Sequence, residues 1–270
     1  MSRVLRAHAD SGAPALDAVD SRGPRRAPWS GLRGAIAFLT IVPVPSAPDT
    51  GLAVTAGWFP LVGAAVGALA GGVRVGAQQL LGRTPATVLA MIALVVVTGA
   101  LHQDGLADTA DGLGARGDRS RRLQVMRDSA TGVFGALALI GWALLLLSTL
   151  ASLDAFHALI ALVVACALAR WAALVHATAT PPARAGGLGA ALHVGPIALA
   201  LASTTALALA LSLCGLAPSA AALLAALLIA ALSATFARRT LGGRTGDTLG
   251  ATVAITEVAV CATLLAVWHG

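Results

Sequence analysis

The chain has 270 residues, of which 57% are hydrophobic and 11% charged, with a formal charge of +6 and a mean hydropathy of +0.84. A soluble domain carries about 25% charged residues, so this chain lacks the polar surface that water requires, and a lipid bilayer is the solvent it fits. The positive balance does not indicate nucleic acid, because no soluble basic segment with interleaved aromatics is present. Its basic residues are all Arg, with no Lys and no Tyr, which reads as coding bias. Cys166, Cys214 and Cys261 stand singly in apolar runs, without metal-ligand spacing, and read as small packing residues.

Residues 1–33 hold six Arg, several Pro and Gly, and no apolar run, so they read as a disordered cytoplasmic tail rather than a secretory signal. Residues 34–270 read as one integral-membrane domain. Ala35 to Val44 is apolar but too short to cross, and Pro43 and Pro45 end it, so it lies in the interface or re-enters. Seven stretches have the length and apolarity of spans: Trp58 to Leu81, Ala86 to Leu101, Val133 to Leu153, Phe156 to Ala177, Val194 to Leu213, Ser219 to Ala237 and Thr248 to Trp268. The fold class is therefore all-α, a polytopic helical membrane protein with about seven transmembrane helices and short interfacial ones. Ser120 to Met126 interleaves Arg with Leu123, Val125 and Met126, the pattern of an interfacial helix.

With the N-terminus inside, residues 1–57, 102–132, 178–193 and 238–247 face the cytoplasm and hold fifteen of the eighteen Arg. That bias sets the orientation. The opposite connections are only a few residues long, so any sizeable site belongs to the cytoplasmic face.

The segment from His102 to Gly112, HQDGLADTADG, places Asp104, Asp108 and Asp111 at i, i+4 and i+7. On a helix these lie within about 60° of arc. Two such charges about 5.5 Å apart repel by roughly 3 kcal/mol at an effective dielectric of 20. A hard divalent cation relieves that repulsion, and Mg²⁺ is typically held by one or two carboxylates together with substrate phosphates. Three of the eight acidic residues that follow Asp49 are gathered here, which disfavours the plainer reading of a solvated acidic helix end. Gly105 and Gly112 beside them suit close approach by a neighbouring helix or a ligand.

A second inner loop, Arg238 to Asp247 (RRTLGGRTGD), has Gly242, Gly243 and Gly246 to turn backbone N–H groups towards phosphate, with Arg238, Arg239 and Arg244 for charge-assisted bonds. Asp247 suits either an N-cap or a metal ligand. Arg170 and Glu257 lie within spans and should face the bundle interior, Arg170 reaching a phosphate or an Asp. Arg74, near the outer end of its span, is expected to snorkel. His102, beside the acidic row, is either a donor to substrate or an inert helix-end residue.

These motifs together resemble one family. HxDGLADTADG at His102 to Gly112, MRDSxxG at Met126 to Gly132 and RTLGGRTGDTLGA at Arg239 to Ala251 are similar to cobalamin synthase, the adenosylcobinamide-GDP ribazoletransferase. FLTxxPVP at Phe38 to Pro45, FPLVG at Phe59 to Gly63 and ARxxGLG at Ala183 to Gly189 follow in the family's order, so the resemblance runs from about residue 34 to the C-terminus. The chain departs from the family's usual residues at Ile41, Ala130 and Val253–Ala254. The resemblance implies a Mg²⁺-dependent transferase of the bacterial inner membrane that joins adenosylcobinamide-GDP to α-ribazole or its 5′-phosphate and releases GMP. It implies that Asp104, Asp108 and Asp111 are the catalytic and metal carboxylates, with Asp247 a further metal ligand. His102, Arg127, Asp128, Arg170, Gly243, Arg244 and Asp247 would then form the phosphate site. It leaves room for a homo-oligomer or a complex with other cobalamin-pathway proteins.

Two other classes compete. Asp108 to Arg116 matches the front half of the CDP-alcohol phosphotransferase signature, but Val125, Ser129 and Val133 stand where its glycine and later aspartates belong. A cation-coupled transporter would place its site near the midplane in broken helices, away from a basic, Gly-rich loop.

Overall fold

The computed structural model describes residues 29–45 and 55–269. The expected N-terminal tail lies outside the described residues as far as position 28, while positions 30–33 belong to the first helix. The helices are α1 (Ser30–Leu39), α2 (Phe59–Leu81, entered through a 3₁₀ turn at Ala56–Trp58), α3 (Arg83–Val97), α4 (Leu101–Gly114), α5 (Arg119–Val125), α6 (Val133–Ser152), α7 (Ala155–Ala179), α8 (Leu188–Ala191), α9 (Pro196–Cys214), α10 (Leu216–Leu241) and α11 (Gly246–His269). Six of them are long and apolar enough to cross a membrane, and a seventh crossing results if α3 and α4 count as one broken span. This is the polytopic all-α architecture expected.

α7 is the centre of the bundle: 83% of its apolar window is buried, against 17% for α9 and 28% for α10. Water drives no apolar association inside lipid, so helices there pack through small residues that let backbones approach. Gly63, Gly67 and Gly71 of α2 do this against α7, where an added Cβ would collide with Cys166, Leu162 and Leu159. On α9 the buried residues are Ala202, Ala206 and Ala210, and on α10 they include Ala222, Ala226, Ala230 and Ala234, one per turn. Their leucines, such as Leu201, Leu224, Leu228 and Leu232, point outward. That inversion of a soluble core marks a lipid-facing surface.

Arg74 does not snorkel. It is fully buried and donates to Thr87 Oγ1 (3.0 Å), Gln78 Oε1 (2.6 Å) and the carbonyls of Leu150 (3.0 Å) and Leu153 (2.8 Å). The end of α6 supplies carbonyls that have no intrahelical partner, and these give the guanidinium a better environment than the interface would.

Between α3 and α4 the chain breaks at Gly99 and Ala100, both left-handed (φ 59° and 57°), and the two helices meet at 88°. Such a conformation costs a residue with a Cβ about 1–2 kcal/mol, so the surroundings must hold it. The stretch after α1 does so: Ile41 N donates to Val97 O (2.9 Å), and the Ile41 side chain covers Gly99. α4 is thereby turned across the N-terminal ends of α11 and α6. The inner segment expected at Ser120 to Met126 is helical as α5, capped by Asp118, whose carboxylate accepts from Arg121 N (2.9 Å). Leu123 packs with Met126, Ala183 and Leu241, so this helix seats on the end of α10 and the loop after α7.

Candidate active site

Two contacts fix the acidic helix α4. At Gly105 it touches the first turn of α11 so closely that a Cβ would lie 2.8 Å from Asp247 O and 3.1 Å from Gly250 Cα. At Asp111 it anchors α6: Oδ2 accepts from Gly132 N (2.7 Å) and Oδ1 from Gly135 N (2.8 Å). A carboxylate suits the positive end of a helix, whose first N–H groups have no partner within it. Both oxygens of Asp111 are thus engaged and the residue is buried. Gly112 makes room for Met126.

The acidic row therefore divides. Asp104 is exposed and Asp108 half-buried, and across from them stands Asp247, in the first turn of α11. Asp247 is not the N-cap. That part belongs to Thr245, in a reciprocal box with Thr248: Thr245 N donates to Thr248 Oγ1 (2.9 Å) and Thr248 N to Thr245 Oγ1 (3.1 Å). Asp247 Oδ2 is buried without a hydrogen-bond partner, and Arg184 Nη2 stands 3.8 Å from it. α4 lies beyond the 88° break and is not itself one of the six crossing helices. There the Asp108 carboxyl is raised to about 6, first by burial and then by the carboxylates of Asp104, Asp247 and Asp111. The repulsion expected from the spacing is present, with Asp247 added to it.

Asp104 and Asp247 share the wall of a cavity of ≈ 120 Å³, with His102 and Arg170 deeper in it. Arg170 is an internal ion pair: Nη1 donates to Glu257 Oε1 and to Cys166 O (3.3 Å). Arg170 Nε and Nη2 and Glu257 Oε2 have no hydrogen-bond partner. Arg170 thus does not pair with an Asp, the alternative partner expected of it. His102 is buried beside it.

The Gly-rich loop departs from the expected phosphate cradle. Gly242 N and Gly243 N donate to Arg238 O and Ala237 O (both 3.1 Å), closing the end of α10, and Arg244 N donates to Pro181 O (2.8 Å). The Arg244 side chain is buried, and its nitrogens donate to Gly189 O (2.9 Å), Leu192 O (3.0 Å) and Thr180 O. The guanidinium and these amides therefore fasten the loop to residues 180–192 and do not point to a ligand. Helix ends always need partners for their carbonyls, and here the glycines supply them. Arg127 and Asp128 are exposed on the turn after α5, where Asp128 Oδ1 accepts from Ala130 N (3.2 Å).

Sequence reasoning missed Arg184 as the counter-charge of Asp247. The signal was its place in ARAGGLG, whose backbone pairs with the second loop: Ala183 N donates to Arg244 O (2.8 Å) in an isolated parallel bridge. Among the described residues no three His, Cys, Asp or Glu side chains converge into a ready-made metal cage. The donor set nevertheless fits an ion of the Mg²⁺ type, which takes one or two carboxylates and completes its shell from substrate and water. The unpartnered Oδ2 of Asp247 is the observation for that fit.

The comparisons with known proteins agree on one family. The model of the cobalamin-5-phosphate synthase family matches residues 31–265. The chain is 41% identical to the adenosylcobinamide-GDP ribazoletransferase of Desulforamulus reducens, over 83% of this chain and 91% of that protein. It is 39% identical to the ribazoletransferase of Roseiflexus sp. (92% and 94% covered) and 39% identical to that of Klebsiella pneumoniae (86% and 97% covered). No solved structure matches it. Neither a CDP-alcohol phosphotransferase nor a transporter gains support from these relatives. A family match over nearly the whole chain, joined to paired carboxylates on a cavity wall, leads to one conclusion: this chain belongs to the cobalamin-5-phosphate synthase family.

Proposed function

We propose that this chain transfers the adenosylcobinamide phosphate of adenosylcobinamide-GDP to α-ribazole or its 5′-phosphate, releasing GMP, in the last steps of cobalamin assembly. A ribazole hydroxyl oxygen attacks the cobinamide-linked phosphorus, the bond from that phosphorus to the GMP oxygen breaks, and the hydroxyl proton passes to a carboxylate. The carrying observation is that Asp104 and Asp247, from different helices, stand on one cavity wall.

Asp104 and Asp247 would hold Mg²⁺, with Asp108 one helical turn from Asp104, and the ion would supply charge neutralisation at the diphosphate. Asp104, the most exposed of the row, would take the proton. His102 lines the same cavity, Arg184 stands 3.8 Å from Asp247, and Arg127, exposed on the turn after α5, would be a further phosphate contact. Asp111 positions α4 through its bonds to Gly132 and Gly135. The Arg-rich segments share one side of the membrane, which supports a site facing the cytoplasm of a bacterial inner membrane.

The test is GMP release by purified full-length protein in lipid, supplied with Mg²⁺, adenosylcobinamide-GDP and α-ribazole. Asp104→Asn should lower turnover at least a hundredfold with the fold intact. Release of CMP from CDP-diacylglycerol in place of this reaction would sink the proposal, and turnover without a divalent ion would remove the metal from it.

A further inference from the structure

The cavity below Asp104 and Asp247 is not built like a phosphate site. Phe59, Leu174, Leu188 and Val253 are among its walls, and the polar side chains on it are His102, Asp104, Arg170 and Asp247. At its inner part Arg170 is 1% exposed, and its Nε and Nη2 donate to nothing. A buried charged donor without a partner is costly, so an acceptor brought by a ligand would gain a charge-assisted bond there. With Asp104 and Asp247 engaged in the proposed chemistry, an acceptor for Arg170 on a largely apolar body is what the inner part of the cavity asks of its occupant.

The volume, ≈ 120 Å³, has room for about ten water-sized groups, at roughly 10–15 Å³ each. Three large groups take part in the proposed reaction. The corrin is far too large for this space. Guanine is of the right size, but its edge carries several donors and acceptors, and with Asp104 and Asp247 given to the metal and the transferred phosphate only His102 and Arg170 are left on the walls to pair them. The base of α-ribazole is a flat bicycle with two methyl groups and a single unsubstituted ring nitrogen, an acceptor.

We infer that this cavity seats the aromatic base of α-ribazole, with a free N–H of Arg170 meeting its unsubstituted ring nitrogen. The inference rests on the ribazoletransferase reading and extends it. Glu257 orients the guanidinium through Nη1, leaving Nε and Nη2 to the base. With the base inside, the ribose lies at the level of Asp104 and Asp247, where its hydroxyl must react. Arg170 thereby moves from the phosphate to the nucleoside, and specificity for the lower base becomes a property of α7.

Two changes test this, one in the protein and one in the substrate. Ala173→Leu adds bulk to the cavity wall and should raise KM for α-ribazole about tenfold while leaving KM for adenosylcobinamide-GDP unchanged. The α-riboside of dimethylindole has C–H in place of the ring nitrogen. With the unmodified protein its KM should exceed that of α-ribazole by roughly ten- to a hundredfold, the worth of one hydrogen bond to a charged group. Because that second measurement alters no residue, it stands even where a variant fails to fold. Equal KM values for the two nucleosides, or an Ala173→Leu effect confined to adenosylcobinamide-GDP, would overturn the base assignment alone. Absence of GMP release from the unmodified protein with α-ribazole would overturn the reading beneath it.

Discussion

Gly105→Ala is the sharpest probe of how the site is held. A Cβ at this position would lie 2.8 Å from Asp247 O, 3.1 Å from Gly250 Cα and 3.2 Å from Asp247 Cα, all of them backbone atoms. Ordinary contact begins near 3.5 Å, so α4 and α11 must part by about 0.5–0.7 Å. Overpacking of this kind costs about 1–3 kcal/mol, and Ala recovers about 1 kcal/mol of helix propensity over Gly. Stability should therefore fall by no more than about 2 kcal/mol. The separation between Asp104 and Asp247 is the more sensitive quantity, because misplacement of about 1 Å can cost a hundredfold in rate. GMP release should thus fall ten- to a hundredfold, and more Mg²⁺ should be needed for half-maximal rate, in a protein that still elutes as a folded species. Gly72→Ala is the control, since a Cβ there meets nothing within 4 Å; it should match the unmodified protein in rate. Normal turnover and Mg²⁺ dependence in Gly105→Ala would refute the claim that this contact sets the spacing of the carboxylates.

Asp111→Asn should behave unlike Asp104→Asn. It places an amide NH₂ against Gly132 N or Gly135 N and leaves a buried donor unsatisfied, at about 1–3 kcal/mol, so its thermal midpoint should drop while some turnover persists. An unshifted midpoint with turnover abolished would return Asp111 to the metal set. The state of Asp108 predicts a pH dependence. Its carboxyl is raised to about 6 in the folded chain, above its unfolded value, so the metal-free fold binds this proton more tightly than the unfolded chain does. That contribution to stability is present at low pH and lost as pH rises through about 6, and below that pH the proton also competes with a cation. Half-maximal rate should accordingly require several-fold more Mg²⁺ at pH 5.5 than at pH 7.5, measured as GMP release; an Mg²⁺ requirement independent of pH would refute the coupling.

The crossing helices were legible because apolar runs of about 20 residues have few other uses. Their ranking was not. α7 and α10 are equally apolar in composition, yet one is the bundle's centre and the other its rim, and only the pattern of Gly and Ala against neighbouring helices separates them. The acidic row was legible from its spacing, since that spacing fixes a common face. What each carboxylate does was not, because it depends on segments far away in sequence: Asp111 on Gly132 and Gly135, Asp247 on Arg184. Arg244 shows the same limit. An Arg between glycines reads as a phosphate ligand until the carbonyls of Thr180, Gly189 and Leu192 are found around it.

The 88° break at Gly99 and Ala100 has a further consequence for how two unwieldy reactants meet. If α3 stands upright in the bilayer, α4, set nearly square to it, would run along the membrane surface, and Asp104 and Asp108, about 6 Å apart along its axis, would share a depth. In the proposed reaction a diphosphate held there would lie parallel to the bilayer, like a rung on a floor, and the groups at its two ends would extend sideways through the aqueous layer. Neither the corrin nor the guanosine then has to enter hydrocarbon for the bond between them to be exchanged.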